Sequence, residues 1–266
     1  MMSRVNVHRM DDDVFLDHVA ERLASLPGVQ AVSLGGSRAE GTHRPDSDWD
    51  FAVYYRERFE PQALRDLGWP GQVFEVGGWG GGVFNGGAWL VVDERRTDVH
   101  YRDLDAVEEE LAAAAEGRFR IEPLMFHLAG IPSYLVLAEL ATSKVLHGQL
   151  PTVHYPTALR ERAPTVWWDN ARLTFDYARV NHARHGRLAQ CAGLVAQATS
   201  QAAHAVLAAR GEWVTNDKTL LTRADLRHVD HFIADAQTDP KAARRLVDVS
   251  EELCATAVQA VLHPLP

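Results

Sequence analysis

Apolar and polar residues follow two different periods in the first part of the chain. In residues 11–25, apolar side chains recur every three or four positions, which predicts an amphipathic helix, and Gly28 follows as a stop signal. Residues 29–34 and 49–55 are short, mostly apolar segments with the residue types that strands favour. We therefore expect a helix and then two strands that lie side by side.

A hairpin and a further helix are predicted downstream. Residues 88–92 and 97–101 predict paired strands joined by a four-residue connection, and with the earlier strands they predict a mixed sheet. The glycine-rich stretch 77–87 before them predicts turns, strand edges and loop. From Leu104 onward, alanine and glutamate favour a helix that closes at Gly117.

Beyond Gly117 the strand signals fade and helical patterns replace them. These patterns cover residues 133–146, 166–185, 187–210, 225–236 and 240–262. We therefore predict two domains. The first is an α/β (α+β) domain with a mixed sheet, residues 1–125, and the second is an all-α helical bundle, residues 126–266.

The composition is that of an ordinary globular protein. Hydrophobic residues make up 46% of the chain, and no apolar run approaches the roughly 20 residues that a bilayer span requires, so no membrane partner is expected. Acidic residues 11–13 stand where a signal peptide has its apolar stretch, which predicts a cytoplasmic location. The net charge of -9 disfavours a stable nucleic acid complex. Cys191 and Cys254 lack the paired spacing of a zinc site and are expected to be buried thiols.

The most informative residues are carboxylates on predicted strands. Asp48 and Asp50 should point to one face, because side chains alternate along a strand. Held together they would repel each other, unless a divalent cation stabilises both as anions. Asp98 and His100 share one face of a later strand. If that strand lies beside the strand of Asp50, the three carboxylates form one cage for Mg²⁺.

A small-residue turn precedes these carboxylates. Gly36 has no Cβ, so a triphosphate can approach the backbone, and Ser37 adds a hydroxyl donor. A common turn explains these two residues taken alone, and a solvated strand end explains the carboxylates taken alone. Their combination favours a site for Mg²⁺ and a triphosphate.

The order of these residues resembles the signature of the DNA polymerase β-like nucleotidyltransferase superfamily. Gly36-Ser37 is followed, after ten intervening residues, by Asp48-x-Asp50 and later by a single aspartate on a strand. The helical second half is similar to that of nucleotidyltransferases that act on aminoglycosides and other antibiotics. The resemblance implies that Asp48 and Asp50 bind Mg²⁺ and the nucleoside triphosphate, that Ser37 contacts the phosphates, and that Asp98 completes the metal site or acts as the base.

Further candidates rest on the same resemblance. Arg38 and Arg44 are candidate phosphate neighbours. Glu139 is the alternative general base, because a helix in a similar place supplies the base in kanamycin nucleotidyltransferase, although a glutamate on a helix surface is the other interpretation. Lys144 and Lys218 are candidate triphosphate ligands, and a solvated turn explains Lys218 equally well.

The resemblance implies a phosphorus-group transferase. A nucleoside monophosphate, with ATP as the expected donor, would pass to a hydroxyl group of a small molecule such as an aminoglycoside-type antibiotic, and pyrophosphate would leave. Two alternatives stay open: nucleotidylation of a protein or RNA, as in toxin–antitoxin nucleotidyltransferases, and a catalytically silent nucleotide-binding module. A homodimer is also open, since some relatives share one site between two chains.

Overall fold

The computed structural model describes residues 9–80 and 82–263 of the chain. Their strands, in chain order, are β1 (Val29–Leu34), β2 (Trp49–Tyr55), β3 (Gly71–Val73), β4 (Gly87–Val92), β5 (Arg95–Asp103), β6 (Ile121–Leu124), β7 (His127–Pro132) and β8 (Lys144–His147). Their α-helices are α1 (Asp12–Ala24), α2 (Gly36–Ala39), α3 (Pro61–Arg65), α4 (Leu104–Ala115), α5 (Leu135–Thr142), α6 (Thr157–Asn181), α7 (Leu188–Arg210), α8 (Leu220–Arg223), α9 (Val229–Ala234) and α10 (Pro240–Leu262). The predicted fold class, a mixed-sheet domain followed by a helical region, is confirmed.

The described residues form two compact units that do not follow the order of the chain. The first unit draws on Met1–Glu110 and Val136–Val153, and the second on Leu111–Leu135 and His154–Pro266. The chain therefore returns to the first unit after it has begun the second. The domain boundary predicted after residue 125 stays a prediction.

A mixed sheet forms the framework of the first unit. Within the described residues it has six strands in the order β3-β4-β5-β2-β1-β8. β2 and β5 are parallel, and the other neighbouring strands are antiparallel. β1 and β2 have the predicted bounds and lie side by side, as predicted.

Alternation along β2 separates the two faces of this sheet. Trp49, Phe51 and Val53 are buried against the apolar side of α1, where Phe15 is fully buried. Asp50 lies between them in sequence and therefore belongs to the opposite face. The core thus fixes the register that presents Asp50, because a shift of one residue would bury the carboxylate and expose the aromatic rings.

The β4–β5 hairpin is tighter than predicted. Val92 pairs with Arg95, so the connection has two residues rather than four. Asp93 and Glu94 both have positive φ angles, 47° and 62°, which a type I′ turn requires. Neither residue is a glycine, so no glycine signals this turn, and the prediction started the second strand two residues too late, at residue 97 instead of Arg95.

Helices α6, α7 and α10 pack together in the second unit, where Trp167 and both cysteines are fully buried. The prediction of helices alone beyond Gly117 is wrong in two places. β6 and β7 form a hairpin, and the helix predicted over residues 133–146 ends at Thr142, after which β8 pairs with β1. β8 depends on a distant partner, β1, which local helical patterns do not reveal. Among the described residues, no helix combines the length and apolarity needed to cross a bilayer.

Candidate active site

Asp50 and Asp98 lie next to each other on the face of the sheet opposite the α1 core. The parallel pairing of β2 and β5 places Asp50 directly beside Asp98. One carboxylate oxygen of each, together with one ring nitrogen of His100, lie within 4.8 Å of one another. The condition for the predicted cage, that the two strands are neighbours, is therefore met.

Gly36 provides the space that the Asp50 carboxylate occupies. Its φ of +60° is in the left-handed region, and a Cβ at this position would clash with Asp50 Oδ2. The preceding Gly35 N–H donates a 2.7 Å hydrogen bond to the backbone oxygen of Asp50. The turn and the strand are thus fitted to each other, and the Asp50 carboxylate requires glycine at position 36. The approach of a phosphate to Gly36 stays a prediction.

Asp48 is placed differently from the prediction that it converges with Asp50. β2 begins at Trp49, so the alternation of strand side chains does not extend to Asp48, and among the described residues it lies outside the group of Asp50, Asp98 and His100. Its buried Oδ1 forms an ion pair with Arg96, at 2.7 Å from Nε. The two atoms do not form a hydrogen bond, because the N–H group does not point at the oxygen. The role of Asp48 as a metal ligand stays a prediction.

Removing the Arg96 guanidinium should tighten divalent cation binding, because Asp48 would no longer have to give up its ion pair with Arg96 in order to bind the cation. An exposed ion pair is worth about 0 to 1 kcal/mol, so the dissociation constant for Mn²⁺ should fall by up to about fivefold in Arg96→Gln. Electron paramagnetic resonance of free Mn²⁺ measures this constant. Arg58→Gln, at an exposed arginine paired with Glu60, is the matched control, and an Arg96→Gln affinity equal to or below wild type would contradict the expectation.

Arg38 points into the protein rather than toward solvent. Its Nη2 donates to Ser47 O at 2.8 Å, its Nε donates to Asp48 O at 3.1 Å, and its guanidinium lies 4.0 Å from the ring centre of Trp49. Only 8% of the side chain is exposed. These contacts fix the loop that leads into β2, so the geometry favours a positioning role over the predicted phosphate contact.

The other candidate phosphate ligands are exposed or partly exposed. Ser37 is the second residue of α2, and Arg44 lies in the following loop with an exposed side chain. Lys144 begins β8 opposite Leu34, and it is exposed. Lys218 is exposed in the second unit. Their contacts with phosphate stay predictions.

His100 is a neighbour of the carboxylates with a defined tautomer. Its Nδ1 lies 3.1 Å from Arg102 Nη2, and arginine has only donors, so Nδ1 must accept. Burial, and then the Arg102 charge, lowers the pKa of His100 to about 4, so the ring is neutral near pH 7 with its proton on Nε2. His100 thus offers an N–H donor, and the oxygens of Asp50 and Asp98 remain the ligands suited to Mg²⁺.

Glu139 forms a buried ion pair with Arg102, which connects it to His100. Arg102 Nε and Nη2 donate to the two carboxylate oxygens at 2.6 and 2.7 Å, and the exposed fractions of the arginine and glutamate side chains are 1% and 20%. Burial alone would raise the pKa of Glu139, but Arg102 outweighs it and the pKa is lowered. The interpretation as a surface glutamate is wrong. A lowered pKa and a bidentate partner also disfavour the role of general base, which stays a prediction.

Glu139→Ala should destabilise the first unit by about 3 to 5 kcal/mol, because it leaves the Arg102 charge buried without a partner. Urea unfolding measures this change. Since the pKa of Glu139 is lowered, the stabilisation by the pair is present above about pH 4.3 and is lost as the pH falls through the lowered value. Glu139→Gln keeps an acceptor for Arg102 and should lose less stability. A stable but inactive Glu139→Gln protein would instead support the general base.

Sequence reasoning placed His100 on the face of Asp98 but assigned it no role, and it missed Arg102. The predicted strand ended at Tyr101, whereas β5 continues to Asp103. Extending the alternation by two residues would have placed Arg102 on the same face. Its partner Glu139 lies 37 residues away on α5, so no local pattern joins the two residues.

Comparison with known proteins adds to this geometry. Residues 16–80 match the family model described as a nucleotidyltransferase domain. No curated protein matches the chain. Among solved structures, a nucleotidyltransferase-like protein from Exiguobacterium sibiricum 255-15 is similar, with a TM-score of 0.45, 10% sequence identity, and coverage of 92% of this chain and 76% of that chain. The segment matched by the family model contains Gly36, Ser37 and Asp50 and ends before Asp98.

Proposed function

We propose that this chain is a nucleotidyltransferase of the polymerase β-like superfamily and that it transfers a nucleoside monophosphate to a hydroxyl group of a small molecule. The match of residues 16–80 to the family model of a nucleotidyltransferase domain supports this proposal. AMP from ATP is the expected group, and an aminoglycoside-type antibiotic is the expected kind of acceptor. Pyrophosphate is the second product. Cytoplasmic location, antibiotic resistance and magnesium dependence belong to the same proposal.

One observation carries the proposal: two carboxylates on neighbouring strands meet at a glycine turn. Asp50 and Asp98 supply oxygen ligands of the type that Mg²⁺ prefers, and Asp48 stands close by in sequence. Mg²⁺ bound there would neutralise the charge of the phosphates during transfer. Because Gly36 has no Cβ, the Asp50 carboxylate has room beside the turn.

The chain's own residues have distinct roles in the proposed reaction. Ser37 donates to a phosphate oxygen, and Arg38 holds the loop that carries Asp48. The acceptor hydroxyl forms a bond to the α-phosphorus as the bond to the pyrophosphate oxygen breaks. Asp98 takes the hydroxyl proton and later returns it to water, while His100, fixed by Arg102, offers a neutral N–H beside it.

The test is transfer by the purified full-length protein. It is incubated with Mg²⁺ and each of the four nucleoside triphosphates, with a panel of hydroxyl-bearing antibiotics, with RNA and without any acceptor, and intact masses are recorded. A mass gain of one nucleoside monophosphate on a small molecule, absent in Asp50→Asn, supports the proposal. Labelling of a protein or of RNA instead would support the macromolecular alternative. Failure to bind any triphosphate with Mg²⁺ would remove both enzymatic functions.

A further inference from the structure

The glycine-rich stretch does more than make turns, because it folds an aromatic cluster beside the carboxylates. The cluster consists of Phe74, Trp79, Phe84 and Trp89, all in the first unit. Phe84 and Trp89 both stack on Trp79, with ring centres at 5.4 and 5.9 Å and interplanar angles of 22° and 27°. Phe74 meets Trp79 and Trp89 edge-on, at 5.6 and 4.8 Å.

Glycine on β4 lets this cluster lie flat on the sheet. A Cβ at Gly87 would clash with Trp79 Cη2, so the indole lies across the backbone of β4 at this position. Gly87 pairs with His100 of β5. The rings of Trp79 and Phe84 are nearly perpendicular to the His100 ring, and their centres lie 5.7 and 5.3 Å from its centre. The cluster is thereby attached to the same strand that carries Asp98.

Trp89 is the exposed member of the cluster and the one beside the carboxylates. It is the register partner of Asp98 across the β4–β5 ladder, so the two side chains share a face of the sheet. Its exposed fraction is 47%, and Val91, two residues further on the same face, is 44% exposed. Asp98 therefore stands between Asp50 on one neighbouring strand and an open indole on the other.

We propose that Trp89 is the stacking surface for the base of the nucleoside triphosphate. This inference rests on the proposed function, which places the phosphates at Asp50 and Asp98. Adjacent strands are about 4.8 Å apart, so a nucleoside whose phosphate lies at Asp98 can reach an indole one strand away. A nucleobase is flat and neutral, and so is the surface that the stacked rings present.

The rings around Trp89 explain why its exposed indole suits this role. Trp79 and Phe74 already hold it by stacking and edge contacts, so little side-chain freedom is lost when a base covers it. Every base has a π-face, so stacking of this kind tolerates any base. We therefore expect the four nucleoside triphosphates to bind with similar affinity.

Binding measurements separate the base from the phosphates. The probes are the non-hydrolysable α,β-methylene analogues of ATP, GTP, CTP and UTP, and inorganic tripolyphosphate, each with Mg²⁺ in isothermal titration calorimetry. Trp89→Ala should bind the four analogues about tenfold or more weakly, because it removes the stacking surface, and should bind tripolyphosphate as the wild type does. Trp89→Phe should recover most of the affinity for the analogues.

The controls make each outcome decisive. Tyr177→Ala truncates an aromatic side chain that is 56% exposed in the second unit, and it should leave all affinities unchanged. Equal affinity of Trp89→Ala and wild type for the analogues would overturn the proposal that Trp89 stacks on the base. An equal loss for analogues and tripolyphosphate would also overturn it, because Trp89 would then only support the strand of Asp98. If the wild type binds neither tripolyphosphate nor any analogue, the proposed function itself fails, and the proposed role of Trp89 fails with it.

Discussion

Asp50→Asn is expected to lower the rate of nucleotidyl transfer by about a thousandfold. The amide keeps the size of the side chain but removes the negative charge that Asp50 contributes beside Asp98. Loss of one stabilising group for transition-state charge costs roughly 10²- to 10³-fold in rate, and a metal ligand acts on the ground-state complex as well. The hydrogen bond from Gly35 goes to the backbone oxygen of Asp50, so the turn should persist in the variant.

Two measurements check this expectation. Steady-state pyrophosphate release in the presence of Mg²⁺ gives the rate, and an Mn²⁺ titration gives the affinity for a divalent cation. Asp46→Asn, at an exposed carboxylate four residues earlier in the loop that precedes β2, is the matched control and should keep both values near wild type. Transfer by Asp50→Asn at close to the wild-type rate would contradict the assignment of this carboxylate.

Gly36→Ala is the second substitution with a large expected effect, and it changes no charge. The added methyl group would clash with the Asp50 carboxylate, and the positive φ at this position is itself unfavourable for alanine by about 1 kcal/mol. Either the turn shifts or the carboxylate moves away from Asp98. We expect the transfer rate to fall at least about a hundredfold, since misplacement of a reacting group by 1 Å has effects of this size.

Gly41→Ala isolates the contribution of the backbone strain. Gly41 also has a positive φ, +71°, but a Cβ there meets no atom within 4 Å. Gly41→Ala should therefore lose about 1 kcal/mol of stability in urea unfolding, comparable to the backbone cost in Gly36→Ala, and keep most of its activity. If both variants lost activity equally, strain of the loop and not the position of Asp50 would be the cause.

The first unit shows how far local patterns extend. Alternation and apolar runs predicted β1 and β2 with their observed bounds, because both strands are held by a core whose residues are visible in the sequence. The hairpin turn was predicted too long, because Asp93 and Glu94 adopt positive φ angles without glycine. β8 was predicted as the end of a helix, since its strand structure depends on pairing with β1, more than a hundred residues earlier.

In the candidate site, too, some features were predictable from the sequence and others were not. The spacing of Gly36, Ser37, Asp48 and Asp50 predicted a triphosphate and metal site, because those residues are close in sequence and their chemistry is specific. The partners of the candidate residues were not predictable. Arg96 reaches Asp48 across the sheet, and Arg102 reaches Glu139 on a helix, so charges that looked available in the sequence are paired in the fold.

The sequence by itself determined where Asp50 points, since the glycine turn at Gly36 and the alternation of Trp49, Asp50 and Phe51 along β2 are both local. Only the tertiary structure decided which side chains surround that carboxylate. The parallel pairing of β2 and β5 brought Asp98 beside Asp50, and the antiparallel pairing of β4 and β5 brought Trp89 to the other side. The physical reason is that strand register is set by burial of the whole sheet, and no short segment carries that information.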